Sequence, residues 1–190
     1  MKNHRHFVIN KPYGYICQFI YKGKRKKRML GELGDFPEGT MSVGRLDENS
    51  EGLLILTTNG KTSFAVRSKG IEKEYYAQVD GIITQDAIDE MKQGVEIGVK
   101  GEKYNTLPCE AFKIEDPNFP ERSRKVRDDR HGPSSWVSVV VTEGKFRQVR
   151  KMTAAVGFPT LRLVRVRIGK LKLGELKSGE YYELDEVVVK

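Results

Sequence analysis

The chain has 190 residues, 38% hydrophobic and 32% charged, which is enough for one sizeable core or two small lobes sharing one. No apolar run approaches the roughly 18 residues of a membrane span, and the N-terminus MKNHRHFVIN has no apolar signal region. Cys17 and Cys109 are too far apart in sequence to suggest a zinc site or a disulfide framework, so a soluble protein of the reducing cytoplasm is expected.

Net charge is +8 with a pI near 9.4, and its distribution says more than its total. Residues 22–28, KGKRKKR, hold six basic residues and no acid. Residues 143–172 hold nine Lys or Arg against Glu143 alone. A solvated surface is the ordinary meaning of a basic excess, but two separate basic stretches favour a polyanion partner, most simply nucleic acid.

Residues 5–9, RHFVI, read as a short strand followed by the loop Lys11-Pro12-Tyr13-Gly14. The β-branched and aromatic run Tyr15 to Tyr21 predicts a second strand, and the basic run at 22–28 an exposed hairpin tip. One short helix is expected within the turn-rich residues 29–40. In 44–60, GRLDENSEGLLILTTNG, Arg45 and Asp47 precede the apolar run Leu53 to Leu56, which places a carboxylate at the lip of a core. A brief helix is expected from Lys61 to Ser68, ended by Lys69-Gly70, then a strand over Lys73 to Val79. Thr84 is a plausible N-cap, with Asp86 in the first turn of a helix that buries Ala87, Ile88 and Met91 and stops at Gly94.

Strands follow near 95–99 and 109–115, then an exposed, aperiodic loop over 116–135 with three prolines. Trp136 to Thr142 reads as a strand, and Phe146 to Val156 as an amphipathic helix closed by Gly157, with Phe146, Val149, Thr153 and Val156 facing the core. Leu161 to Ile168 and Gly179 to Val189 are expected as closing strands. The sum is an α+β protein with a mixed, mostly antiparallel sheet and flanking helices.

The candidate chemistry is narrow. Arg147, Arg150 and Lys151 fall at i, i+3 and i+4, placing three cations on one predicted helix face, an arrangement tolerated when phosphates or a protein carboxylate sit opposite. An aspartate beside a guanidinium stays ionised and can act as a nucleophile as well as an anchor. No Ser/His/Asp set, G-x-G-x-x-G loop or Walker A loop is present. Asp47, Asn49, Glu51 and Gly52 mimic the first half of a calcium loop, but its twelfth position is Thr58 where a bidentate Glu is needed, and no metal is expected.

Taken together, Lys11-Pro12-x-Gly14, GRLDENSEGLLILTTNG, KEYYAQVDG at 73–81 and EGKFRQVRKMTAAVGFPTLRLVRVRIG at 143–169 resemble the RsuA/RluB/RluE/RluF family of pseudouridine synthases, in the family's order and across most of the chain. The expected absence of an N-terminal S4-type domain, the TLPCEAFKIEDP segment and the variable loop before Ser135-Trp136 are similar to the RluE branch, which modifies a uridine of large-subunit (23S) rRNA. The resemblance implies one pseudouridine synthase catalytic domain over 1–190, with sub-lobes of roughly 1–60 and 61–190 and a central RNA-binding cleft. It implies Asp47 as the catalytic aspartate, Tyr75 as the ring that stacks on the target base, and Arg150 as the cation that pairs with Asp47. Tyr76 is the competing choice for the tyrosine, since neighbours on a strand point to opposite faces. Arg45, Arg147, Lys151 and Lys11 are implied as RNA or base contacts, and Leu161, with Leu163 as its alternative, as packing beside the pocket. The implied enzyme is a monomer that acts on rRNA without a cofactor. A non-catalytic RNA-binding or ribosome-assembly factor, and the same chemistry on another RNA, are the alternatives.

Overall fold

The structure is a computed structural model that describes residues 4–67, 70–126 and 131–189. Its elements begin with β1 (His6–Lys11), β2 (Tyr15–Ile16), β3 (Arg28–Met29), a 3-10 turn (Leu30–Glu32), β4 (Met41–Val43), β5 (Glu51–Thr57) and α1 (Gly60–Arg67). They continue with β6 (Lys73–Asp80), α2 (Gln85–Gln93), β7 (Glu96–Val99), β8 (Glu102–Asn105), β9 (Glu110–Ile114), β10 (Ser134–Val141) and α3 (Gln148–Ala155). The last are β11 (Thr160–Ile168), β12 (Leu171–Lys172) and β13 (Tyr181–Leu184). The pairings of β1 with β5 and β13, β4 with β5, β10 with β6 and β9, β7 with β8, and β11 with β12 are antiparallel. That of β2 with β3, in a separate two-stranded sheet, is parallel, so the pairings are mostly antiparallel, as the expected α+β class requires.

The chain divides into two compact units, one of Met1–Ile71 with Arg165–Lys190 and one of Glu72–Val164. The sequence alone places a division near residue 60 and assigns the C-terminus to the later lobe. The observed division differs because β13 returns to pair with β1, in the register Phe7↔Glu183 and Ile9↔Tyr181, a long-range pairing that local pattern does not encode.

The first unit is built around β5. All seven of its residues are buried, as expected for a continuous apolar strand covered on both faces. It pairs with β1 (Ile9↔Leu54) and with β4 (Val43↔Ile55). Leu53, Leu54, Ile55 and Leu56 are wholly buried, each contributing about 1.5–3 kcal/mol of apolar burial. Gly52 is required at the head of this strand. Its φ is +103°, and a Cβ there would lie 2.3 Å from the carbonyl oxygen of Arg165.

The predicted strand over Tyr15 to Tyr21 is only two residues long. Gln18 N–H turns back to the Ile16 carbonyl at 2.9 Å and Cys17 is drawn inward, while Ile20 is left 75% exposed. The basic run is therefore a solvent-exposed loop between two parallel segments, Tyr15↔Arg28 and Ile16↔Met29, and not the tip of a hairpin. The predicted helix after residue 60 is α1; Ser68 and Lys69 lie outside the described residues. Of the closing segment Gly179 to Val189, only Tyr181–Leu184 forms a strand.

The second unit is a sheet of β6, β10 and β9, with α2 and α3 packed on one face. Ala77 and Val79 of β6, Val137 and Val139 of β10, Ile88 and Met91 of α2, and Val149 and Met152 of α3 share one core. Helix α2 matches its reading closely: Thr84 accepts the Ala87 N–H at 3.3 Å, and Ala87, Ile88 and Met91 are buried. Gly94 ends it at φ +97°, where a Cβ would meet the Thr106 carbonyl oxygen at 2.3 Å. Helix α3 is shorter than predicted. It starts at Gln148, buries Gln148, Val149, Met152 and Thr153, and leaves Phe146 in solvent instead of in the core. Of the predicted loop 116–135, residues 127–130 lie outside the described residues and Ser134 already belongs to β10.

Candidate active site

The predicted residues are divided between the units: Lys11, Arg45 and Asp47 belong to the first, and Tyr75, Arg147, Arg150, Lys151 and Leu161 to the second.

Asp47 sits in the connection between β4 and β5, half-buried, between buried Leu46 and buried Ser50. Its carbonyl accepts the Ser50 N–H at 3.0 Å, closing a turn directly before the strand. Three further anchors fix that turn from the KPYG loop and the segment after it. Gly14 N–H donates to the Glu48 carbonyl at 2.8 Å. The Cys17 thiol donates to the Leu46 carbonyl at 3.3 Å while the Leu46 N–H donates to its sulfur at 3.2 Å, and burial pushes the thiol pKa up. The Lys27 ammonium pairs with the Glu48 carboxylate. These contacts fix the backbone that carries the Asp47 carboxylate, which is one requirement for a group aimed at a substrate atom.

Lys11, read from sequence as an RNA contact, is instead wholly buried. Its ammonium donates to the carbonyls of Pro12 and Tyr15, both at 2.7 Å. Burial pushes its pKa down to about 8, opposed by the neighbouring Cys17, Glu51, Asp47 and Glu48. In this structure Lys11 closes the loop between β1 and β2 through these two carbonyls and presents nothing to solvent. Arg45, one residue before Leu46, is exposed.

In the second unit Tyr75 lies on β6 opposite Val139, half-buried against the core formed with the helices. Tyr76 faces the other way, its ring 6.2 Å from Phe119, which in turn packs 5.8 Å from Trp136. The alternation separates the two tyrosines as strand geometry demands. On α3 the three cations diverge. Arg147 is exposed at the helix N-terminus in the left-handed region (φ +55°). Arg150 is half-buried and reaches the Thr160 carbonyl from Nη1 at 3.4 Å, next to the 2.7 Å contact between the hydroxyls of Thr153 and Thr160. Lys151 donates to the Gly98 carbonyl at 2.5 Å. The helix starts one residue after Arg147, so the three do not form a single stripe. Leu161 is half-buried, and Leu163 belongs to the core.

A further anchor has no clear signal in the sequence. The Glu143 carboxylate accepts from the Tyr104 hydroxyl (2.6 Å), the Leu107 N–H (2.9 Å) and the Gln148 side chain (2.7 Å), fixing the turn that leads into α3. That hydrogen bond raises the Tyr104 pKa. In the sequence Glu143 stands out only as the lone acid in a basic stretch; its partners come from β8, the segment after it and α3. Among the described residues no helix is long and apolar enough to cross a membrane.

Comparison with known proteins identifies the family of the chain. Residues 5–155 match the family described as RNA pseudouridylate synthase. The chain is 38% identical over 165 residues to the ribosomal large subunit pseudouridine synthase E of Xanthomonas axonopodis pv. citri, a match that covers 85% of this chain and 84% of that protein. It is 32% identical over 185 residues to an uncharacterized RNA pseudouridine synthase of Aquifex aeolicus, covering 96% and 67%. Among solved structures, a pseudouridylate synthase crystal structure superposes with a TM-score of 0.74 at 28% identity over 97% of this chain and 71% of the other. Human RNA pseudouridylate synthase domain containing 1, at 16% identity and a TM-score of 0.54, shares the fold.

Proposed function

We infer that this chain, which belongs to the RNA pseudouridylate synthase family, isomerises a specific uridine of large-subunit (23S) rRNA to pseudouridine. The observation that carries the substrate assignment is the set of four relatives, 35–40% identical over 85–93% of this chain, that bear the name ribosomal large subunit pseudouridine synthase E.

The reaction breaks the bond between N1 of uracil and C1′ of ribose, turns the base, and joins C5 to C1′. The C5 proton is lost and N1 takes one up, so atoms balance without an external electron donor or acceptor. Asp47 is the proposed catalytic carboxylate, acting by attack on the ribose or by promoting its deprotonation. The braced turn supports this role, because a carboxylate carried on a fixed backbone loses less freedom on reaching the transition state. Tyr75 is the proposed stacking ring for the base, which must leave its helical stack at a cost of a few kcal/mol. Arg150 is the proposed partner of the Asp47 charge, Arg45, Arg147 and Lys151 the proposed RNA contacts, and Leu161 the proposed packing residue beside the base. The exposed cations of 22–26 supply phosphate attraction. The enzyme is proposed to work as a monomer, without a cofactor, in the cytoplasm.

Release of tritium from rRNA labelled at uracil C5 tests this directly. Asp47→Asn should lower release by about four orders of magnitude or more while RNA binding survives. Normal turnover in that variant would overturn the role of Asp47, and no release by the wild-type protein would favour a non-catalytic RNA-binding factor.

A further inference from the structure

The β10–α3 turn holds an aromatic ring outside the proposed reaction machinery. Phe146 is 66% exposed, although it begins a segment whose apolar spacing predicts burial. Its exposure is built into an ordered turn. The Glu143 carboxylate is consumed by three donors, from Tyr104, Leu107 and Gln148. The Lys145 N–H donates to the Gln148 side-chain oxygen at 3.0 Å, and its ammonium lies 4.2 Å from the centre of the Tyr104 ring. Arg147, the next residue, takes the left-handed conformation at φ +55° that a non-glycine residue rarely adopts. Together these hold the backbone on both sides of Phe146 while its ring stands out. The Lys151 ammonium is over that ring, 5.2 Å from its centre.

We propose that Phe146 is a stacking platform for an unpaired nucleobase of the RNA substrate, flanked by Lys145, Arg147 and Lys151 as its phosphate-attracting rim. This rests on the reading of the chain as an RNA-modifying enzyme. A flat apolar ring with the Lys151 ammonium over it and Lys145 and Arg147 on either side of it in the chain, with the Glu143 carboxylate already satisfied, complements the two faces of single-stranded nucleic acid: a stackable base and an anionic backbone. A protein partner with an apolar patch would match the ring but not the rim. Every base has a π-face, so the platform adds affinity with little sequence preference. It holds an unpaired nucleotide of the substrate and takes no part in the bond exchange.

The chain offers a clean probe, because Trp136 is its single tryptophan and is buried at 6% exposure. Phe146→Trp places a second, exposed indole at the platform. Its emission is followed during titration with a fluorescein-labelled 12-nucleotide single-stranded RNA, whose anisotropy reports binding separately, and with inorganic polyphosphate. The expected result is quenching by RNA and none by bound polyphosphate. Phe146→Ala should bind the RNA about tenfold more weakly with an unchanged salt slope, Phe146→Trp should bind as the wild type does, and Phe146→Leu should not restore affinity. RNA that binds without quenching overturns the platform and leaves the RNA-modifying reading intact, and equal quenching by polyphosphate overturns it in favour of charge alone. Full restoration by leucine overturns it in favour of a generic apolar contact. If labelled RNA does not bind the wild-type protein, both the platform and the reading it rests on fail.

Discussion

The two basic stretches, 22–28 in the first unit and 145–151 in the second, look alike as sequence but their cations are used differently. Lys22, Lys24, Arg25 and Lys26 are exposed on a loop between two short parallel segments. Lys145, Arg150 and Lys151 are half-buried, over the Tyr104 ring, at the Thr160 carbonyl and at the Gly98 carbonyl respectively. The first stretch turns from one kind to the other within itself. Lys27 pairs with Glu48, and Arg28 donates to the Tyr15 hydroxyl at 2.5 Å while stacking 4.2 Å from that ring. Solvated cations contribute long-range, salt-sensitive attraction; cations held by carbonyls and rings contribute local geometry as well as charge. Lys11 is the extreme of the second kind.

Lys11 gives the sharpest test of the cations held by the fold. Its pKa falls from the ordinary 10.5 to about 8 because burial disfavours the charged amine. Below pH 8 the folded and unfolded chains both hold the proton, and the burial penalty is present in full. Between about 8 and 10.5 the folded chain releases the proton while the unfolded chain still binds it, so stability attributable to Lys11 rises with pH. The gain is on the order of 3 kcal/mol. Urea unfolding from pH 7.5 to 10.5 should show it in the wild type and not in Lys11→Met, and parallel curves for the two would refute it.

Arg150→Ala removes a guanidinium that is half-buried at the Thr160 carbonyl and should cost about 2 kcal/mol in stability together with most of the turnover. A double-mutant cycle with Asp47→Asn tests the proposed pairing: strongly coupled losses support it, and additive ones sink it. Unchanged melting would place Arg150 in the solvated class and break the contrast between the stretches.

Exchanging Lys22, Lys24, Arg25 and Lys26 for Gln should leave melting within about 0.5 kcal/mol of the wild type. RNA affinity should fall about tenfold, and its dependence on log salt should become shallower by roughly 0.7 for each phosphate no longer neutralised. An unchanged salt slope would mean that this loop is not where the RNA backbone lies. The smallest effect is expected for Lys27→Gln. Its partly exposed pair with Glu48 stabilises the Asp47 turn by about 0.5 kcal/mol, and the charge-reversed pair Lys27→Glu with Glu48→Lys should recover what the single change loses.

Features set by short-range physics are legible in the sequence. The run after Asp47 has to be buried whatever surrounds it, and β5 is. Helix α2 carries its own start, stripe and stop in Thr84, Ala87-Ile88-Met91 and Gly94. Strand periodicity alone places Tyr75 and Tyr76 on opposite faces, and the family motifs in the chain point to the reaction class. Tertiary structure decided what depends on partners distant along the chain. Cys17 turns inward because its sulfur finds the backbone of Leu46, which ends a strand that propensity alone would have continued. Lys11 lies beside Gly52 of β5 in the buried sheet, where the carbonyls of Pro12 and Tyr15 take its ammonium, and the last residues join the first unit because β13 finds the open edge of β1. Phe146 stands in solvent because Arg147 takes a left-handed conformation and α3 begins only at Gln148. A side chain's type and spacing are local properties, whereas its burial and partners are properties of the whole fold, so the sequence could nominate Asp47 but only the fold supplies the Gly14, Cys17 and Lys27 anchors that hold its turn.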